Sequence, residues 1–239
     1  MAKLVWDADT ERTFETGDKK CVLYPRKSDG TYEKGAAWNG LTAVTESPSG
    51  ADANDMYADD VKYGSLRSSE TFGGTIEAYT YPEEFEQCDG SYSPAKGVSV
   101  GQQKRKPFGL SYVTTKGNDT DGLDYGYKIH LVWNATASPS EKSYSTVNDS
   151  PEAITFSWEF STTPTVLTAL DADGKQLKPT SHLEIDSTKC DAASLKKLED
   201  MLYGTDSTEA KLPTPDEVIA MFSTTSTSSS SSTGSEVSG

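Results

Sequence analysis

Residues 153–161 read AITFSWEFS. Successive side chains of an extended chain point to opposite faces. Ile154, Phe156, Trp158 and Phe160 therefore share one side, and Thr155, Ser157, Glu159 and Ser161 the other. The first set is expected to anchor a core. The second is small, polar and sparsely charged, and the question it raises is what that face looks at.

The pattern recurs upstream in LDYGYKIHLVWNA (123–135), where Tyr125, Tyr127, Ile129, Leu131 and Trp133 alternate with Lys128, His130 and Asn134. PFGLSYVTT (107–115) precedes it across the polar stretch KGNDTDG, which predicts a strand pair. CVLYP (21–25), the turn-like SDGTY (28–32) and GAAWNGL predict an earlier hairpin, and TFGGTIEAYT predicts a strand over 74–81 that ends at Pro82 and gives way to a short acidic helical turn. TVLTAL (165–170) and SHLEID (181–186) flank a DADGK turn. The fold class is mainly β, a sandwich or barrel, with helices only near the C-terminus. Leu195, Leu198 and Leu202 recur at helical spacing between a capping Asp191 and Gly204, and TPDEV opens a second helix with Thr214 and Glu217 as a capping box, running to about Phe222. From Ser223 the chain is rich in Ser and Thr, a composition expected to be disordered. The expected organisation is a β domain over 1–190, a helical segment over 191–222 and a disordered tail over 223–239. Residues 39–62 are polar, broken by Pro48 and Gly50, and read as a long loop.

The net charge of −15 argues against a protein that grips nucleic acid, because phosphate affinity comes from Lys and Arg. Residues 41–90 concentrate the imbalance, with eleven acids against Lys62 and Arg67. No apolar run is long enough for a membrane span or signal peptide, which points to a chain made and used in a cytoplasm. Cys21, Cys88 and Cys190 are widely spaced and expected to be free thiols. DADGK has its glycine at the wrong place for a calcium loop, and His130 and His182 lie beside no nucleophile motif and in no metal-ligand spacing. KRK (104–106) is too short for a nucleic-acid patch and reads as an ion-pair partner for another chain. No catalytic residue, metal site or cofactor emerges, which favours a structural or binding role.

The strings GTYEKGAAWNGLTAVTESPSGAD, FGGTIEAYTYPEEFEQCDG, VSVGQQKRKPFGLSYVTTKGNDT and SPSEKSYSTVNDSPEAITFSWEFSTTP together resemble the major tail proteins of long, non-contractile-tailed bacteriophages (siphophages) of Gram-positive hosts, in the same order over roughly residues 20–190. That resemblance implies a tail-tube β-sandwich or barrel with a flanking helix, assembled as hexameric rings stacked into a tube. The implied partners are further copies of the chain, a tape-measure protein, tail terminator and distal tail proteins, and double-stranded DNA that passes without specific binding. The implied location is the virion tail after assembly in the host cytoplasm, with no enzymatic step, cofactor or membrane. Thr155, Ser157 and Glu159 then become candidates to face the lumen, and the long loop, with Glu46, Asp52, Asp55, Asp59 and Asp60, a candidate bridge between rings whose removal over 46–56 is expected to leave a folded monomer unable to polymerise. The reading from another class is a monomeric β-sandwich module that binds carbohydrate on the virion surface; a cell-wall hydrolase is third.

Overall fold

A computed structural model of the chain describes residues 4, 6, 11–144, 146 and 153–223. The strands are β1 (Thr13–Pro25), β2 (Ala36–Ala37), β3 (Leu41–Glu46), β4 (Ala53–Ala58), β5 (Val61–Arg67) and β6 (Gly73–Ala78). A 3-10 turn (Glu83–Phe85) runs into a one-turn helix α1 (Glu86–Asp89), the acidic turn expected after Pro82. Then come β7 (Tyr92–Ala95), β8 (Val98–Val100), β9 (Phe108–Asn118), β10 (Gly122–Ala137), β11 (Phe156–Thr162), β12 (His182–Asp186), α2 (Ala192–Tyr203) and α3 (Pro215–Ser223). No helix among the described residues is long and apolar enough to cross a membrane. The Ser/Thr-rich stretch after Ser223 lies outside the described residues.

One large antiparallel sheet runs in the order β2, β1, β9, β10, β11, β6, β3, with β12 also paired to β10. It curls until β3 lies beside β1, where Thr16 and Gly17 approach Ala43 and Val44 without a hydrogen-bonded ladder, so the barrel stays open at that seam. Bulges assist the curl, two of them in β1, near Gly17 and Lys20 with φ of 64° and 53°. The curled sheet encloses an aromatic core in which Trp38, Phe85, Phe108, Trp158 and Phe160 meet, with Phe85 touching Trp158 edge-on at 5.1 Å. A second core lies on the other face of β1, β9 and β10, where Ile129, Leu131 and Trp133 pack against Leu195, Leu198 and Leu202 of α2 and Val218 of α3.

β10 serves both cores through a bulge. Val132 pairs with Leu110 but Ala135 pairs with Phe108, so Trp133 and Asn134 together oppose Gly109. Asn134 takes a positive φ of 52°. The extra residue shifts the alternation by one, so Val132, Ala135 and Ala137 all join the aromatic core. Asn134 therefore does not continue the face of His130 that strict alternation assigns to it. Its side chain instead fastens the bulge: the Asn134 amide donates to Thr165 Oγ1 at 2.8 Å, and its backbone N–H donates to the Tyr32 hydroxyl at 3.0 Å. A Cβ at Gly109 would meet Leu212 and lie 3.2 Å from the Val132 carbonyl, which explains the glycine.

Both helix starts are as read: Ser194 N–H donates to Asp191 at 2.8 Å, and Thr214 and Glu217 form their reciprocal box. DADGK is a turn in which Asp171 accepts from the Asp173 and Lys175 N–H groups. TVLTAL, expected as a strand, is reduced to isolated bridges at Thr165 and Leu170, its exposed Val166 and Leu170 finding no core. All three cysteines are free. Lys106 of the KRK run pairs inside its own chain, with Glu33 at 3.6 Å and the Gln87 side chain at 2.7 Å.

β12 is pinned to β9 by Lys116 Nζ, which donates to Asp186 at 2.7 Å. Burial opposes the Asp186 charge, but hydrogen bonds from Lys116 and Thr188 together outweigh it and hold the carboxyl at about 2. That lies below the ordinary aspartate value of ~3.9, so its contribution to stability is complete above that value and is lost as the pH falls toward the folded pKa. Urea midpoints measured from about pH 5 downward should therefore fall more steeply for the wild type than for Asp186→Asn; parallel profiles would contradict the assignment.

Candidate functional site

The polar side of AITFSWEFS belongs to a larger surface. Ser157 lies opposite Glu77 and Glu159 opposite Thr75 on β6. One strand further, Ala43 and Thr45 of β3 oppose the same Glu77 and Thr75. On the other side Ser161 opposes Thr136 of β10, which the bulge has turned outward. Directly opposed residues share a face. Four strands therefore present a continuous wall of Ala43, Thr45, Thr75, Glu77, Thr136, Ser157, Glu159 and Ser161, with two carboxylates and no lysine or arginine among these positions. Only the β11 row was visible in the sequence; β3 and β6 reach it by pairings that local periodicity does not encode.

Behind the wall, Trp158 and Phe160 are buried as expected, and Phe156 is half-buried, stacked on Trp158 at 5.7 Å. Ile154 is half-buried and Thr155 exposed, both ahead of the first residue of β11. Ile154 is thus not one of the buried core residues.

The polar segment 39–62 is not a loop. Leu41–Glu46 is a strand of the main sheet, and the chain then continues into a hairpin arm. Glu46 pairs with Gly74, Ser49 with Thr71, Ala53 with Arg67 and Ala58 with Val61, a nearly unbroken register out to Asp59 and Asp60 at the tip. At 3.3 Å per residue, the legs beyond Glu46 extend roughly 40 Å. No alternation marked them because neither face of the arm is buried. Tyr57, Val61, Tyr63 and Leu66 stand exposed on it, Tyr63 at 79%. Asp52 is exposed on the arm and Asp55 pairs with Lys62 at 2.8 Å, while Asp59 and Asp60 adopt φ of 51° and 61°, the left-handed pair of a tight hairpin turn.

Glu46 is placed differently from the other four acids. It ends β3 with its carboxylate turned inward, accepting from the Tyr112 hydroxyl at 2.5 Å and lying 3.2 Å from His130 Nδ1 and 3.6 Å from His182 Nε2. The His130 imidazole beside it, helped by Tyr112 and His182 against the carboxyl's own burial, holds Glu46 down to about 2. Burial lowers the pKa of His182, and burial followed by the hydrogen bond to Glu46 raises that of Tyr112. Excision of 46–56 would thus destroy a structural contact and leave β5 without its partner. Both histidines were singled out in the sequence, but 84 residues separate Glu46 from His130 and 52 separate His130 from His182, so no spacing motif could join them.

The fold is a curled β barrel with a polar wall that carries no lysine or arginine at its paired positions, and an extended arm with exposed apolar side chains. A family profile for phage tail tube proteins matches residues 10–209, and the chain belongs to that family. A search of curated proteins found no match. The family is structural, and its members build the phage tail.

The Tyr112 hydroxyl ties Glu46 at the arm's root to β9. Tyr112→Phe should lower the unfolding free energy by about 1.5 kcal/mol, the low end for a hydrogen bond to a charged group because water reaches Glu46. Urea denaturation checks it, and an unchanged midpoint would show the contact to be energetically idle.

Proposed function

We propose that this chain assembles into hexameric rings that stack as the tail tube and conduct double-stranded DNA, with the four-strand polar wall facing the lumen and the arm bridging successive rings. The cation-free wall carries this reading. DNA sliding past Ser, Thr and Glu side chains finds no ammonium or guanidinium to hold its phosphates, and the carboxylates of Glu77 and Glu159 repel them. Adjacent subunits would join through β3, the wall strand at the end of the sheet, whose outer edge carries no hydrogen-bonded ladder and can accept another strand. The arm's exposed Tyr57, Val61, Tyr63 and Leu66 supply apolar area that burial against the next ring would stabilise. On this reading the tape-measure protein fills the lumen during assembly in the host cytoplasm, and terminator and distal tail proteins close the tube's ends.

Negative-stain electron microscopy of concentrated protein should show rings or tubes. In a phage carrying Ser157→Lys with Glu159→Lys, tubes should still assemble but DNA delivery should fail; wild-type infectivity would mean that this face meets bulk solvent. Replacing residues 50–70 by a short Gly/Ser turn, which spares Glu46, should give a folded monomer by sedimentation that forms no tubes. Tubes of normal length from that variant would remove the arm from the account.

A further inference from the structure

The chain contains two histidines, and the fold brings both to one carboxylate. Glu46 comes from the end of β3 at the arm's root, His130 from β10 and His182 from β12, and one donor atom from each lies within 4.8 Å of the other two. His130 is almost fully enclosed, with its side chain 6% exposed, and its Nδ1 lies 3.2 Å from Glu46 Oε1 without hydrogen-bond geometry and with no other hydrogen-bond partner. His182 Nε2 is likewise buried without a hydrogen bond. Two buried imidazole nitrogens without hydrogen bonds, both aimed at one carboxylate, are costly unless something binds between them, because a buried polar atom left unpaired forfeits its hydration.

We propose that Glu46 Oε1, His130 Nδ1 and His182 Nε2 bind a divalent transition-metal ion of zinc type, which locks the root of the arm to the sheet. Two imidazoles and a carboxylate are a donor set suited to zinc, and hard cations such as calcium prefer all-oxygen sites. Bonds of about 2.0–2.2 Å in a tetrahedral site place neighbouring donors roughly 3.3–3.6 Å apart. The separations from Glu46 Oε1 to the two nitrogens, 3.2 and 3.6 Å, already match. The surroundings orient the donors as metal sites require. Thr114 Oγ1 lies 3.0 Å from His130 Nε2 and can accept its proton, leaving Nδ1 free as the ligand. Tyr112 stacks on the His130 ring at 4.7 Å, and Phe72, just before β6 on the returning leg of the arm, stacks on His182 at 4.4 Å. Glu46 is 36% exposed, which provides an entry path and room for a water as fourth ligand. The inference does not rest on the tube reading: it concerns the isolated chain, whether or not it polymerises.

The test uses untagged full-length protein stripped with EDTA, then titrated with Zn²⁺ by calorimetry and with Co²⁺ by visible absorption. Saturable binding of one ion per chain is expected, with the intense d–d bands of tetrahedral Co²⁺ and a melting temperature raised by Zn²⁺ and restored by EDTA. Imidazole ¹⁵N spectra should show both histidines shifting together, His130 coordinated through Nδ1 and His182 through Nε2. His182→Gln should weaken Zn²⁺ binding at least about 100-fold, and Thr114→Val, which keeps all three ligands, about 10–100-fold. Circular dichroism of the variants without metal should match the wild type; if His182→Gln does not fold, Thr114→Val and the wild-type imidazole spectra decide. No saturable binding, binding that leaves either histidine signal unmoved, or a folded His182→Gln with wild-type affinity would overturn the proposal.

Discussion

The structure hinges on the demand that β10 serve two cores. Its first half sends Ile129, Leu131 and Trp133 toward the helices, and its second half sends Ala135 and Ala137 into the aromatic interior. A strand with unbroken alternation would put Asn134 in that interior and Thr136 there after it. The bulge at Trp133 and Asn134 prevents this, and the polar partners of Asn134 keep it in place. Because β11 pairs with the end of β10 after the bulge, the facing of β11, β6 and β3 all descends from that one extra residue.

The same constraint divides the sheet by chemistry. Residues 21–25 of β1, with β9 and the middle of β10, are covered on both sides, by the aromatic core and by α2 and α3. The wall formed by β3, β6, β11 and the end of β10 is covered on one side only, and its free face is made mostly of short hydroxyl side chains with two carboxylates. Short polar side chains give a smooth surface of little conformational freedom, and the missing cations remove the main source of affinity for phosphates. The arm follows an opposite logic. A two-stranded hairpin in water is marginally stable by itself, and this one carries its bulky Tyr57, Val61, Tyr63 and Leu66 into solvent. Its stability as an isolated element depends on its root, where Glu46 is held by Tyr112 and lies against the two imidazoles.

A large part of the architecture is legible in the periodicity of the sequence. β9, β10 and β11 have strong alternation, the hairpin from β1 to β2 has its turn, and α2 and α3 have their leucine spacing and caps. Other strands were silent for one reason. Residues 13–20 of β1, the arm strands β4 and β5, and the hairpin β7 and β8 are largely exposed on both faces, so burial imposed no alternation on their residues. Ile154 misled in the other direction, continuing the apolar rhythm one step beyond the strand that gives the rhythm meaning.

The sequence by itself determined that Phe156, Trp158 and Phe160 point one way and Ser157 and Glu159 the other, because side-chain direction along a strand is a local property of the backbone. Only the tertiary structure decided what those polar residues stand beside. Thr75, Glu77, Thr45 and Thr136 join them through ladders between strands far apart in the chain, and Glu46 meets His130 and His182 in the same way. Strand register is set by turns, bulges and the filling of a shared core, none of which leaves a spacing pattern that joins distant residues.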